Sequence, residues 1–195
     1  MSDPHEFILQ HISRHITLSE PDIQRFKSVL RYRKLRKRQY LLQAGDVSLY
    51  ENFVLKGCLR AYTVDPDGTE HIVMFAVEGW WVSDLYSFLT GTPATQNIDA
   101  LEDTEVFSIE KNDLEKLYQQ VPEFNRMFRI LLQNAFVAQQ QRIIGSISQT
   151  AEEQYTSFIT KYPTLEQRIP QNQVASYLGL TPETLSRIRK QQAKK

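Results

Sequence analysis

The spacing of apolar residues along this chain is helical at the start, alternating through the middle, and helical again to the end. Phe7, Ile8, His11, Ile12 and His15 recur at helical spacing. A second helix follows, with Ser19 as its capping residue and Pro21 in its first turn, ahead of Ile23, Phe26, Val29 and Leu30. From Arg33 to about Ile109 the apolar runs are short and broken by turn residues. Residues 40–42 stop at Ala44-Gly45-Asp46, 52–55 at Lys56-Gly57, and 58–64 at Asp65-Pro66-Asp67-Gly68, after which 70–77 continue. Two more strands, 96–101 and 105–109, flank Glu102-Asp103-Thr104. Closely spaced strands without intervening helix-length segments predict an antiparallel meander closed into a sandwich or barrel, not a parallel sheet.

Helical spacing returns with a short element at 112–119, and Pro122 then opens the longest helix, running to about Ser148 and reaching roughly 40 Å. Its apolar residues form two stripes. Phe124, Phe128, Leu131, Ala135 and Ala138 make one; Leu132, Phe136, Ile143 and Ile147 make the other. One stripe can cover the strand domain while the other meets a partner helix, although Gln139, Gln140 and Gln141 interrupt the pattern. A further helix at 152–162 ends at Pro163. The expected fold class is therefore α+β, in three parts: an antiparallel β-roll domain over residues 1–121, a dimerisation helix over 122–148, and a helical domain over 149–195.

The chemistry is concentrated in residues 171–190. Two short helices that cross steeply need a small residue at their contact, a glycine at the tight turn, and apolar facing sides. Ala175 and Gly179 meet the first two demands, and Val174, Leu178, Leu180, Leu185 and Ile188 meet the third. Thr181 can cap the second helix, and Pro182 suits its first position, where no N–H is needed. The remaining side chains of that helix, Glu183, Thr184, Ser186, Arg187, Arg189 and Lys190, are polar or cationic, as on a helix that presents donors to phosphates and base edges. This reading assigns Arg187 to a guanine edge, Glu183 to cytosine, and Thr181, Arg189 and Lys190 to phosphates. A hairpin that packs on the body without touching DNA is the alternative, and would make the chain a ligand-sensing or protein-interaction module.

Net charge is formally zero, but the sum hides an asymmetry: residues 151–195 hold seven Lys/Arg against four Asp/Glu, leaving sixteen against nineteen before them. The cationic end is the helix-turn-helix end. No run approaches the roughly 18 apolar residues of a membrane span. The start, Met1-Ser2-Asp3-Pro4-His5, lacks the pattern of a secretory signal, so the expectation is a cytoplasmic protein. Cys58 stands alone, a small buried hydrophobe in a strand, and no metal or other cofactor is expected. His11 and His15 have chelating spacing but no neighbouring ligand motif. A metal-dependent β-barrel enzyme would need a histidine cluster, and His71 is the one histidine in the strands; no nucleophile motif or phosphate-binding glycine loop is present either, so the chain does not read as an enzyme. The dense run Arg31, Arg33, Lys34, Arg36, Lys37 and Arg38 reads as a solvated face leading into the first strand.

From about Phe26 to Lys190 the chain resembles the Crp/Fnr superfamily of bacterial regulators. The residues that carry the resemblance are Gln43-Ala44-Gly45, Val54-Leu55-Lys56-Gly57, the hairpin at 65–68, Gly79, and Glu183-Thr184-Leu185-Ser186-Arg187. The runs at 88–93 and 168–170 are similar to those of the short Bacteroidetes members. The resemblance implies a cyclic-nucleotide-binding-like β-roll (jelly roll) of about eight strands, a long dimerising helix, a homodimer on an inverted-repeat site in double-stranded DNA, a small-molecule effector, and contact with RNA polymerase. It also places an effector pocket at Trp81, Ser83, Asp84, Tyr86, Thr95 and Gln96. Asp84 and Thr95 stand where cyclic-AMP binders have their acidic and hydroxyl residues, but Ala94 replaces their phosphate-binding arginine. A phosphate buried there would lack its counter-charge, at a cost of several kcal/mol, so the expected effector is not cyclic AMP. With Trp80, Trp81, Tyr86 and Phe88 in the same region, the pocket is either closed or shaped for a flatter, less charged ligand. The chain stops just after the recognition helix, so no β-hairpin wing is expected.

Overall fold

A computed structural model describes residues 3–192. Two helices, α1 (Pro4–Ser13) and α2 (Glu20–Val29), precede the strands β1 (Arg31–Leu35), β2 (Tyr40–Leu42), β3 (Tyr50–Lys56), β4 (Leu59–Val64), β5 (Glu70–Ala76) and β6 (Trp81–Val82). Helix α3 (Leu85–Thr90) comes before β7 (Asn97–Ala100) and β8 (Thr104–Glu110), and α4 (Lys111–Gln120), α5 (Glu123–Ser148), α6 (Ala151–Lys161), α7 (Leu165–Arg168), α8 (Gln171–Leu178) and α9 (Pro182–Gln192) complete the described chain. Capping explains the helix starts: Asp3, Ser19 and Asp84 each accept a backbone N–H of the first turn, and Thr150 and Glu153 form a reciprocal capping box.

The strands form two antiparallel four-stranded sheets, ordered β1-β8-β3-β6 and β2-β7-β4-β5. This is the expected β-roll. The period-two alternation divides its residues cleanly. Leu35, Val54, Val82 and Val106 of the first sheet meet Leu59, Ala61, Ala76, Ile98 and Ala100 of the second between the sheets. On the far side of the first sheet, Phe53, Phe107 and Ile109 pack against Ile8, Ile12, Phe26, Leu114, Leu117, Phe124 and Met127 from the helices. On the far side of the second, Tyr62, Ile72 and Phe75 join Tyr155, Phe158, Leu165, Ile169, Val174, Ala175, Leu185 and Ile188 of the C-terminal helices.

Four elements were not predicted. β1 carries three cationic residues among five, and its Tyr32 and Leu35 do not alternate; β6 has two residues. Helix α3 lies in the stretch read as a ligand cassette, and α7 is a single turn. Helix α9 includes Gln191 and Gln192, and residues 193–195, like Met1 and Ser2, lie outside the described residues.

Candidate functional site

The helix-turn-helix geometry follows from three residues. Gly179 ends α8 in the left-handed region, φ 70°, with open space around the position of a Cβ, so conformation and not crowding calls for glycine. Leu180 N–H donates back to the Ala175 carbonyl at 2.9 Å, closing the turn, and Ala175 itself is fully buried where the helices meet. Thr181 Oγ1 accepts from Thr184 N–H at 3.2 Å and caps α9, whose first residue is Pro182.

With Leu185 and Ile188 turned inward, α9 presents Glu183, Arg187 and Lys190 to solvent along one face, with Ser186 at its flank. Together with Pro182 and Gln191 these side chains line an open, shallow depression. Neither Arg187 nor Lys190 forms an ion pair with a described residue. The other three predicted contacts are placed differently. Thr181 is exposed at the helix start; Thr184 is half-buried and its hydroxyl lies 3.1 Å from that of Thr181. Arg189 turns about 200° away from Arg187, as two residues on a helix must, and pairs with Glu166 at 3.2 Å. Tyr155 O–H donates to the same carboxylate oxygen, so Arg189, half-buried, ties α9 to α7 and lies off the outer face.

The C-terminal helices are docked on the roll. Ser176 Oγ accepts from Ile72 N–H and donates to the Glu70 carbonyl, both at 3.0 Å, which satisfies the open edge of β5. Arg142 of α5 donates to the Val73 carbonyl at 2.5 Å and the Tyr177 carbonyl at 2.8 Å, and its guanidinium stacks 4.0 Å above the Tyr177 ring. Arg168 reaches Glu78 at 2.9 Å and pairs with Glu102. Sequence reasoning missed these joints, because a lone arginine or serine on a helix gives no pattern.

Of the six residues expected to form the effector pocket, Asp84, Thr95 and Gln96 are brought together, while Trp81, Ser83 and Tyr86 point elsewhere. Alternation sends Val82, and not Trp81, into the space between the sheets; Trp81 faces the helical layer, 5.2 Å from Phe53 and 5.1 Å from Phe128. Ser83 O–H donates to Glu51 at 2.8 Å on that same side. Asp84 is buried and fully engaged: it caps α3 through Ser87 N–H at 3.1 Å and holds the Thr95 and Gln96 N–H groups at 3.2 and 3.3 Å. It has a structural task where the expectation placed a ribose contact. Tyr86 and Thr95 are exposed and Gln96 is half-buried. Cys58 is buried as expected, and burial pushes its thiol up to about 12, out of reach of ordinary thiolate chemistry. Among the described residues no helix is long and apolar enough to cross a membrane.

Comparison with known proteins agrees with this architecture. Residues 32–121 match the cyclic nucleotide-binding domain family. The chain is 29% identical over 188 residues to the fumarate and nitrate reduction regulatory protein of Vibrio cholerae, covering 88% of this chain and 73% of that one. It is 27% identical to the anaerobic regulatory protein of Haemophilus influenzae, covering 88% and 71%. Among solved structures, FixK2 from Bradyrhizobium japonicum superposes with a TM-score of 0.74 at 20% identity, over 85% of each chain, which is a likeness of fold. A cyclic nucleotide-binding roll, a long helix and a helix-turn-helix thus stand together in a chain that is similar, over 88% of its length, to transcriptional regulators of the Crp/Fnr kind.

Proposed function

We propose that this regulator is a cytoplasmic homodimer that reads an inverted repeat in duplex DNA through Glu183, Arg187 and Lys190, under control of an effector other than cyclic AMP. The observation that carries the reading is the outer face of α9, where Arg187 and Lys190 stand exposed without a carboxylate partner among the described residues while Leu185 and Ile188 anchor the opposite side. A guanidinium in that position suits a guanine edge, and a carboxylate one turn earlier suits cytosine N4.

Dimerisation is supported by α5. Beyond Leu131 the helix keeps Arg142 on β5 but exposes Leu132, Phe136, Val137, Ile143, Ile144 and Ile147, the last at 81%. Such a stripe on a helix matches an identical partner helix across a two-fold axis, and two such copies would set their α9 helices in successive major grooves about 34 Å apart. On this reading the roll runs to residue 121, the dimer helix over 122–148 and the DNA-binding domain over 149–195, with the signal crossing the hinge near Gln149 to Glu152, where α5 gives way to α6.

Binding to a randomised duplex library at two salt concentrations tests the reading. The expected result is an enriched palindrome, affinity falling steeply with salt, and an Arg187→Ala variant that loses about ten- to a hundredfold in discrimination at one base pair of each half-site. If no sequence is enriched, the non-DNA-binding alternative replaces it; if Arg187→Ala enriches the same sequence equally, Arg187 is not the base-reading residue.

A further inference from the structure

Strand β1 places an arginine where a strand usually places an apolar residue. Its register pairs Arg33 with Val106 and Leu35 with Thr104. Leu35 and Val106 both belong to the core between the sheets, so Arg33 points into the same layer, at its open edge. Arg31, on that face one step further out, is held by Glu110 and Asp113. Arg33 is half-buried and has no hydrogen-bonding or ion-pairing partner among the described residues.

Arg33 borders a cavity of about 340 Å³ between β1 and β2. Its floor is Asn52, Ser48 and Ile98, all buried. Asn52 is rigid and saturated, donating to the Val82 carbonyl at 3.1 Å and accepting from Ser108 O–H at 2.7 Å, so the floor offers polarity without a competing free charge. The rim is apolar and unusually open for such residues: Tyr40, Val47 and Leu49 are 44%, 38% and 50% exposed. None of the residues expected to bind effector lines this cavity.

We infer that this mouth of the roll binds a small amphipathic carboxylate, whose acid group pairs with Arg33 and whose apolar body lies against Ile98, Leu42 and the rim of Tyr40, Val47 and Leu49. A guanidinium matches a carboxylate in two parallel hydrogen bonds, and partial burial strengthens the pair. Apolar rim residues then leave water when the ligand enters. One cation answers one negative charge. The exposed carboxylate of Asp46 also borders the opening, which disfavours a phosphate dianion. At about 30 Å³ per non-hydrogen atom the cavity holds roughly a dozen such atoms, the size of an aromatic or medium-chain acid. The inference rests on reading the roll as a sensor, and its ligand would enter from the β1–β2 side, over a floor that Ser48 ties to α3 through Ser87.

The test uses the full chain, ¹⁵N-labelled and without DNA, titrated with phenylacetate and, as neutral match, phenylacetamide. The expected result is a saturable shift of the Leu42, Ser48 and Asn52 amides with phenylacetate alone, its midpoint weakened about tenfold in Arg33→Gln. Leu49→Asp, at an exposed rim position that leaves the core intact, is expected to weaken it similarly, so a misfolded Arg33 variant does not decide the matter. Equal response to phenylacetamide, no saturable shift at millimolar ligand, or unchanged midpoints in both variants would overturn the site. Arg187→Ala is expected to keep the phenylacetate response, so failure of this site and failure of the DNA-binding reading are separate results.

Discussion

The sheet β1-β8-β3-β6 is closed by apolar helices, whereas the sheet β2-β7-β4-β5 meets the C-terminal helices through ions and hydroxyls as well as rings. On the first face Phe26 stacks on Phe124 with centroids 4.8 Å apart, and Phe53, Trp81 and Phe128 form a continuous aromatic row. Separating those layers exposes large apolar area to water, so that face opens only when the domain unfolds. On the second face the Arg168 and Arg142 joints and the Ser176 bonds can each be replaced by water at modest cost. The second face thus adds replaceable polar joints to its own apolar cluster of Tyr62, Ile72 and Phe75 with the C-terminal helices. Even the polar groups differ: Arg60 on the second sheet is paired with Asp99 at 2.8 Å, while Glu51 on the first has Ser83.

The largest expected effect is on the closed face. Phe124→Ala should lower stability by about 3–5 kcal/mol, read from urea midpoints; a loss below about 1 kcal/mol would mean that the α5 start does not lock the helical layer to the roll.

The next effect is on pH. Burial raises the Glu51 carboxyl from the ordinary 4.5 to about 7, with the Ser83 hydrogen bond opposing the shift. The folded state therefore holds this proton more tightly than the unfolded chain. Its contribution is complete below about pH 4.5 and is lost as pH rises through about 7, on the order of 3 kcal/mol in all. Glu51→Gln should flatten that fall between about pH 5 and pH 8, and an unchanged slope would assign it elsewhere. Glu78 on the second face behaves oppositely. Burial pushes it up, but the Arg168 hydrogen bond and backbone donors outweigh burial and hold the carboxyl below its ordinary range, so this joint weakens as pH falls through the lowered value. The two faces should thus respond to acid with opposite sign.

Arg168→Ala should leave the denaturation midpoint of the roll nearly unchanged while making the 149–150 linker more susceptible to limited proteolysis, because it frees α7 from Glu78 and Glu102. Equal cleavage of both proteins would show that apolar contacts alone hold the dock. Ser176→Ala is the smallest change, about 1 kcal/mol, visible as faster amide exchange at Ile72.

The elements with clear periodicity were legible in sequence, and so was the helix-turn-helix, since Ala175, Gly179, Thr181 and Pro182 each answer a local geometric demand. What escaped was set by long-range register. Trp81 and Val82 differ by one position, and only the pairing of Val82 with Asn52 determines which enters the roll. Asp84 is chemically suited to a ribose or a helix cap; Gly91, seven residues on in the left-handed region, was the overlooked sign that a helix lay between them. The basic run did contain solvated residues, but alternation hid Arg33 among them because neighbouring charges mask a period of two. Arg189 was assigned by charge alone, and Glu166, twenty-three positions away, claims it.

Strand β5 is the outermost member of its sheet, and α8 with Arg142 satisfies its backbone groups there. A DNA-binding domain that swings free would uncover a template on which another chain's strand could add. Release is therefore safe only while it is brief or while something else takes α8's place, which gives the resting posture a second duty as a guard against self-association into fibrils.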